Sequence, residues 1–353
     1  MVGIILLSFT LVLIFLIFFF MRSTKEMPKN WSQFKSEIKL ILLGTVALAE
    51  DILLRKYNKI ELYKQPHKVA LITGGNRGIG LRIVKKLIEC EITVILGVRN
   101  PDEAKKTVEK YLEHHKLTGK LHYEKLDIGD MTSVKQFAEK VKEQFQQIHI
   151  LINNAGVMSV PFRLTADGFE SHMAINYVGH FLLTHLLMPL LRAAGTETSN
   201  ARIINVSSCV HKVGEINYDD FNGIKNYYPA DAYNQSKLAQ VMFTRHLNIQ
   251  FKLDGEHLQS HSLHPGVVNT DLFENSSTTY IPWIRKLLFK TPEQGAITVI
   301  YAAISPAIEN DETTYFSNCR AASVHRFVKN SVQVEKLFRT TCDMLGIKDF
   351  FAA

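Results

Sequence analysis

Cysteine is scarce in this chain. Cys90, Cys209, Cys319 and Cys342 are scattered through 353 positions, which excludes a disulfide framework. No C-x-x-C pair or His/Cys cluster suggests a structural zinc site, and no metal is expected. Internal repeats and low-complexity tracts are absent, so neither a solenoid nor a disordered chain fits. Charged residues make up 21% and hydrophobic residues 46%, a globular balance sufficient for one large domain or two small ones. Charge is missing altogether from residues 1–21.

That uncharged segment is apolar apart from Ser8 and Thr10. Twenty such residues as a helix span about 30 Å, the thickness of a bilayer's hydrocarbon core. No Lys or Arg precedes the run, and Ile14 to Phe20 is bulky throughout, unlike the short core and small-residue cleavage site of a secretory signal. The expectation is a retained transmembrane anchor over 1–21, with cleavage and secretion as the alternative. Arg22, Lys25, Lys29 and Lys35 follow, and the positive-inside rule then places the rest of the chain in the cytosol.

The net charge is +7, and residues 22–68 supply +5 of it through ten Lys/Arg against five Asp/Glu. A basic excess beside an apolar run suits anionic lipid headgroups better than nucleic acid, and no nucleic-acid partner is expected. A solvated, lysine-rich linker fits the same residues. Leu40 to Ala49 is too short to cross a bilayer and reads as an interfacial helix, with packing on the domain surface as the other reading. Gln65-Pro66-His67 closes a basic linker over 22–67 and leaves 68–353 as one folded domain.

Within that domain, short β-rich runs alternate with amphipathic stretches. Strands are expected at Val69–Thr73, Thr93–Val98, Leu121–Leu126, Ile148–Asn153, Arg202–Ser207 and Gln259–His264, and a last one near Thr314–Phe316. Met131 to Phe145 carries Val134, Phe137, Ala138 and Val141 on one helical face. Alternation of this kind predicts an α/β, doubly wound parallel sheet covered on both faces. Val332 to Ile347 reads as a C-terminal helix.

The first strand runs into Gly74-Gly75-Asn76-Arg77-Gly78-Ile79-Gly80. Such a turn lets backbone approach a pyrophosphate, and the helix behind it offers unpaired N–H groups. The second strand ends in Arg99 rather than the acidic residue that binds ribose hydroxyls in NAD-preferring sites. Two guanidinium groups, Arg77 and Arg99, can pair with a 2′-phosphate. NADP(H) is therefore the expected cofactor, with NAD(H) the lesser one.

Further along, Tyr233-Asn-Gln-Ser-Lys237 sets a tyrosine and a lysine one helical turn apart. Ser207-Ser208 and Asn153-Asn-Ala-Gly156 close the fifth and fourth strands. Asn176 lies in Ile175-Asn-Tyr-Val-Gly-His180, and Pro265-Gly-Val-Val-Asn-Thr270 follows the sixth strand. In this order these motifs resemble the short-chain dehydrogenase/reductase family over residues 68 to about 305. The resemblance implies a single Rossmann-type domain behind an N-terminal membrane anchor.

It also implies roles. Tyr233 would be the catalytic acid/base, Lys237 its electrostatic partner and a ribose ligand, Ser208 the donor to the substrate oxygen, and Asn176 the holder of a relay water. Either serine could serve; the spacing from Ser208 to Tyr233 resembles that of the retinol-dehydrogenase branch. Asp127 would meet the adenine edge, Asn153 and Ala155 would line the cofactor cleft, and Val268 and Thr270 would hold the nicotinamide carboxamide. The chemistry fits these residue types. A phenol near its ordinary pKa of about 10 becomes a working acid/base only when a neighbouring ammonium stabilises its phenolate. A hydroxyl beside it can stabilise charge growing on a carbonyl oxygen.

Longer stretches, among them Gly179-His-Phe-Leu-Leu-Thr184, Ser236-Lys-Leu-Ala-Gln240 and Leu288-Phe-Lys-Thr-Pro-Glu-Gln-Gly-Ala296, resemble the membrane-linked branch of the family that handles retinoids and polyprenols. A hydrophobic small-molecule substrate is implied, a long isoprenoid alcohol or aldehyde first and a retinoid or steroid second. So is a place on the endoplasmic reticulum membrane or a lipid droplet; a homodimer stays open. The segment holding Leu272, Phe273, Tyr280, Ile281, Trp283, Ile284, Leu287, Leu288 and Phe289, bordered by Arg285, Lys286 and Lys290, reads as a lid that could also touch the bilayer. A cofactor-binding partner protein without catalysis is the reading from another class; it would call for a broken tetrad, and this one is complete. His211 and His264 lack ligand spacing and read as surface or strand-end residues.

Overall fold

The computed structural model describes residues 22–309 and 311–352. The expected anchor over 1–21 lies outside the described residues.

The strands are β1 Val69–Thr73, β2 Thr93–Val98, β3 Leu121–Lys125, β4 Ile150–Asn153, β5 Ala201–Val206, β6 Leu258–His264, β7 Tyr315–Ser317 and β8 Arg320–Ala321. They form one sheet in the order β3-β2-β1-β4-β5-β6-β7-β8. Every pairing is parallel except β7 with β8. The order reverses between β1 and β4, where Ala70 pairs with Ile150 and Ile72 with Ile152. Connections leave this point on opposite faces, which opens a crevice at the strands' C-terminal ends.

Successive side chains on a strand point to opposite faces. Leu71 and Ile95 accordingly enter one apolar core, and Ala70, Ile72, Val94 and Leu96 the other. The helices are α1 Trp31–Leu53, α2 Gly78–Glu89, α3 Pro101–His114, α4 Met131–Gln144, α5 Gly179–Ala194, α6 Pro229–Asp254, α7 Pro282–Leu288, α8 Pro292–Ile304, α9 Arg326–Lys329 and α10 Ser331–Leu345. Residues of α2, α3 and α8 fill the second core; those of α4, α5, α6 and α10 fill the first. Their starts are written locally. Asn100 caps α3 ahead of Pro101, Asp130 caps α4, and Thr291 with Gln294 forms a capping box on α8.

Among the described residues, one helical stretch, Met173–Ala194, is long and apolar enough to cross a membrane. It is a core helix instead: Phe181 packs 4.7 Å from Phe243 and 4.8 Å from Phe350, ring centre to ring centre.

The largest departure from expectation is α1. It is a 23-residue helix capped by Asn30, longer than the expected Leu40 to Ala49, and it follows the second of the two readings by packing on the domain surface. Leu40, Ala47 and Leu48 are buried against the domain. Leu42, Val46 and Leu53 lie outward and exposed. Burial also takes in three polar side chains, Gln33, Glu37 and Asp51. Each has partners from the chain: the Glu37 carboxylate, for one, accepts the Tyr228 hydroxyl at 2.9 Å. The basic segment 22–53 thus forms part of the folded body.

Candidate active site

A cleft of about 540 Å³ runs along the C-terminal ends of the strands, within the range of small-molecule sites. The glycine turn forms one wall. Gly78 has φ +54, and a Cβ on Gly80 would lie 2.2 Å from the Gly74 carbonyl oxygen, so only glycine permits this close return of the chain. Asn154 Nδ2 ties the turn by donating to the Thr73 and Gly74 carbonyls at 2.9 and 3.1 Å. Thr73 Oγ1 accepts the N–H groups of Asn154 and Ala155. His180 Nδ1 lies 3.2 Å from the Asn176 carbonyl, which can only accept, so His180 Nε2 must accept the Thr73 hydroxyl at 2.9 Å. Burial brings His180 down to about 3, which keeps it in this neutral form at physiological pH.

Gly74, Asn76, Arg77, Gly78, Ile79, Gly80, Arg99, Asp127, Ala155, Val268 and Thr270 all line the cleft, together with Tyr233, Lys237 and Ser208. Two expected cofactor residues do not. Asn153 is buried behind the wall, where its Nδ2 donates to Asn205 Oδ1 at 2.9 Å and Thr184 Oγ1 at 3.3 Å; its neighbour Asn154 lines the cleft instead. Gly75 faces the sheet-to-helix packing, where a Cβ would meet Val84 at 3.0 Å and Leu96 at 3.1 Å. Glu103 also lines the cleft. It sits on α3, within hydrogen-bond reach of Asn100 at 3.3 Å, a carboxylate in the lining that the strand-end motif did not reveal. Arg77 makes an exposed ion pair with Asp271 at 3.6 Å. Asp127 accepts the Gly129 N–H at 3.0 Å.

The opposite wall comes from α6. One turn separates Tyr233 from Lys237, whose Nζ lies 5.7 Å from the centre of the tyrosine ring. Lys237 Nζ donates to the Val206 carbonyl at 2.9 Å and Gln240 Oε1 at 3.0 Å, and burial lowers its amine to about 7. Burial pushes the Tyr233 phenol above its ordinary value, while a hydrogen bond from Ser208 pulls the other way. Ser207 is occupied elsewhere, donating to the Lys237 carbonyl at 2.8 Å. Of the two serines, Ser208 is the one whose hydroxyl is free of the α6 backbone and bears on the phenol.

Asn176 sits in a π-helical turn, Met173–Val178, a distortion frequent at functional sites. It stands behind the cleft rather than in its wall. Its Nδ2 donates to the Val157 carbonyl at 3.0 Å and Ser236 Oγ at 2.9 Å, and its Oδ1 accepts the Val157 N–H at 2.8 Å. Both amide hydrogens are committed, which leaves one lone pair on Oδ1. Gly156 separates that atom from Lys237: a Cβ there would lie 3.1 Å from Asn176 Oδ1 and 3.7 Å from Lys237 Nζ.

The remaining lining is largely apolar: Met158, Val210, Leu272, Phe273 and Phe289 and, unexpectedly, Leu40, Ile41 and Leu48 of α1, with Ser23, Ser276 and Thr278 among them. The segment just before α1 clasps the lid. Ser276 and Ser277 donate to the Arg22 carbonyl at 2.8 and 2.9 Å, and the Lys25 N–H donates to the Asn275 carbonyl at 2.9 Å. Tyr280, Trp283 and Leu287 point outward and exposed.

The two histidines read as surface or strand-end residues prove to be buried. His264 does close β6, and it lines the cleft. His211 Nδ1 lies 2.7 Å from the Ser208 carbonyl, and its ring packs 4.5 Å from that of Tyr315. Burial lowers His211 to about 3 and His264 to about 4, so both are neutral at physiological pH.

Comparison with known proteins agrees with this geometry. The short chain dehydrogenase model matches residues 68–281. Polyprenol dehydrogenase of Homo sapiens is 40% identical over 293 residues, covering 81% of this chain and 87% of that protein. Retinol dehydrogenase 11 of Mus musculus is 38% identical over 287 residues, covering 80% and 87%. Among solved structures, an uncharacterized protein from Mycobacterium paratuberculosis superposes with a TM-score of 0.64 at 29% identity, covering 81% of this chain and 96% of that one. With a Rossmann-type sheet, a glycine turn at its switch point and a tyrosine–lysine pair across the cleft, the chain belongs to the short-chain dehydrogenase family.

Proposed function

We propose that this oxidoreductase interconverts a hydrophobic alcohol and its aldehyde or ketone, with a nicotinamide dinucleotide as hydride carrier and a polyprenol- or dolichol-type isoprenoid as substrate. One observation carries the reading: Tyr233, Lys237 and Ser208 converge between the glycine turn and an apolar chamber. The cofactor, when bound, supplies or accepts the hydride. The first-turn N–H groups of α2 suit its pyrophosphate. Arg77 and Arg99 suit a 2′-phosphate, which makes NADPH the preferred form. Asp127, in the cleft wall, would meet the adenine edge, and Val268 and Thr270 the carboxamide.

In the reductive direction Tyr233 gives its proton to the carbonyl oxygen, and Ser208 hydrogen-bonds the same oxygen as charge develops on it. Lys237 stabilises the resulting phenolate. It holds its own proton more firmly once anionic phosphates share its low-dielectric cleft. The free lone pair of Asn176 Oδ1 beside Lys237 suits a water through which the tyrosine regains its proton. In the oxidative direction the same groups run in reverse.

The substrate class rests on the chamber's apolar lining and on the relative named polyprenol dehydrogenase. The relative named retinol dehydrogenase supports the second reading, a retinoid or steroid. Membrane tethering by residues 1–21 fits a lipid substrate. Arg22, where the apolar run ends, accepts hydrogen bonds from Ser276 and Ser277 of the loop after β6, which is compatible with a cleft that opens toward a membrane, that of the endoplasmic reticulum or a lipid droplet.

The test is a panel of polyprenal, retinal and a steroid ketone, each with NADPH and with NADH, given to the full chain in detergent. The reading expects the highest kcat/KM for polyprenal with NADPH. A preference for small polar carbonyls would overturn the substrate assignment.

A further inference from the structure

The loop after β6 is held from below by a buried charged cluster whose members come from three distant parts of the chain. Asp51, in the last turn of α1, accepts the Val267 N–H on Oδ2 at 2.8 Å. Its other oxygen, Oδ1, lies 2.8 Å from Lys290 Nζ and accepts Asn318 Nδ2 at 3.1 Å. Lys290 Nζ donates in turn to Asn318 Oδ1 at 2.7 Å and to the Pro265 carbonyl at 3.4 Å. Asp51 and Lys290 are only 5% and 7% exposed.

The backbone of Lys290 grips the same loop. Its N–H donates to the Val267 carbonyl at 2.8 Å, and its carbonyl accepts the Asn269 N–H at 2.9 Å. Gly266 has φ +101, and a Cβ there would fall 2.5 Å from Lys290 Cδ and 2.8 Å from Asp51 Oδ2. Glycine is required because the ion pair occupies that space. None of Asp51, Lys290 and Asn318 falls within the residues 68–281 that the family model matches.

A buried ion pair is a poor source of net stability, since desolvation offsets its attraction. What this one does is immobilise a peptide. Pro265, Gly266, Val267 and Val268 line the cleft, and the Val267 N–H bonded to Asp51 belongs to the peptide two positions after Pro265. We propose that Asp51, locked by Lys290 and Asn318, is a positioning residue that fixes the 265–270 loop and with it the nicotinamide end of the cofactor site. The α1 helix is then a working part of the site, not a spacer. This inference rests on the reading of the cleft as a nicotinamide dinucleotide site, in which Val268 and Thr270 face the carboxamide.

Removing one charge alone would leave the other buried and unpaired, so the test uses two double variants that remove both. Asp51→Asn with Lys290→Met keeps an oxygen for the Val267 N–H. Asp51→Leu with Lys290→Met does not. Each is titrated with NADPH and with 2′-phospho-ADP-ribose, which lacks the nicotinamide.

The expected result is selective. The leucine variant binds NADPH about tenfold or more weakly and 2′-phospho-ADP-ribose within about threefold of wild type, a difference of one end of the ligand only. The asparagine variant keeps NADPH within about threefold, on the same scale. Equal NADPH affinity in the two variants would overturn the proposal. So would parallel loss of both ligands in the leucine variant, which is what a merely structural role gives. If the leucine variant fails to fold, Asp51→Ala with Lys290→Met, which also removes the acceptor of the Val267 N–H, takes its place with the same two outcomes. Failure of wild type to bind either ligand would instead refute the reading of the cleft.

Discussion

Replacing Lys237 with methionine should stabilise the cofactor-free protein at neutral pH while removing its activity. Burial lowers the Lys237 amine from 10.5 to about 7. A lysine so depressed binds fewer protons folded than unfolded between those two values. Its penalty on folding is therefore fully present below about pH 7, shrinks as pH rises, and is gone above about pH 10.5. At roughly 1.4 kcal/mol per pH unit of separation, the full penalty is about 5 kcal/mol. Methionine has a similar length and no charge, but gives up the donations to Val206 and Gln240, which offsets about 2 kcal/mol.

The balance is a gain of about 2–3 kcal/mol at about pH 6.5, or roughly 5 °C in Tm for a domain of this size. At about pH 9.5 the remaining penalty is near 1–2 kcal/mol, and the advantage should vanish. Thermal unfolding of both proteins in detergent, followed by circular dichroism at the two pH values, reads this directly. A variant less stable than wild type at the lower pH would show that the buried ammonium carries no such penalty. So would an advantage that does not change with pH.

Other outcomes follow from the same geometry. Arg99→Asp should lower the ratio of kcat/KM with NADPH to that with NADH by about tenfold or more, since a guanidinium suited to a 2′-phosphate becomes a carboxylate; an unchanged ratio would remove Arg99 from cofactor selection. Ser208→Ala should cut kcat by about 10²–10³. Ser207→Ala, whose hydroxyl serves the α6 backbone, should instead cost about 1 kcal/mol of stability and leave kcat within a few-fold. Steady-state kinetics and Tm on the pair separate the two roles, and a larger kcat loss at Ser207 would exchange them.

The sheet was legible because each strand carries its own period, and helices such as α3, α4 and α8 carry their own caps. Strand limits moved by at most two residues, as at Ile150 and Ala201. The glycine turn and the tyrosine–lysine pair were legible for a similar reason: their geometry is set within one turn of chain. What stayed hidden depends on distant partners. On α1, the inward face includes Glu37 and Asp51, whose partners Tyr228 and Val267 stand 191 and 216 residues away in the chain. Asn153 and Asn154 are adjacent at a strand end, so they face opposite ways. Nothing local says which one faces the cleft. His211 and His264 read as surface or strand-end residues; His264 does end β6, and the burial of both comes from other elements.

Catalysis here depends on the Tyr233 phenol moving the proton. Tyr233→Phe removes one oxygen from a buried ring and should leave the fold and the Kd for NADPH within about threefold of wild type. Single-turnover reduction of polyprenal, followed by loss of NADPH absorbance, should then slow by about 10²–10⁴-fold. Reduction at a rate near that of wild type, with cofactor bound, would contradict the claim.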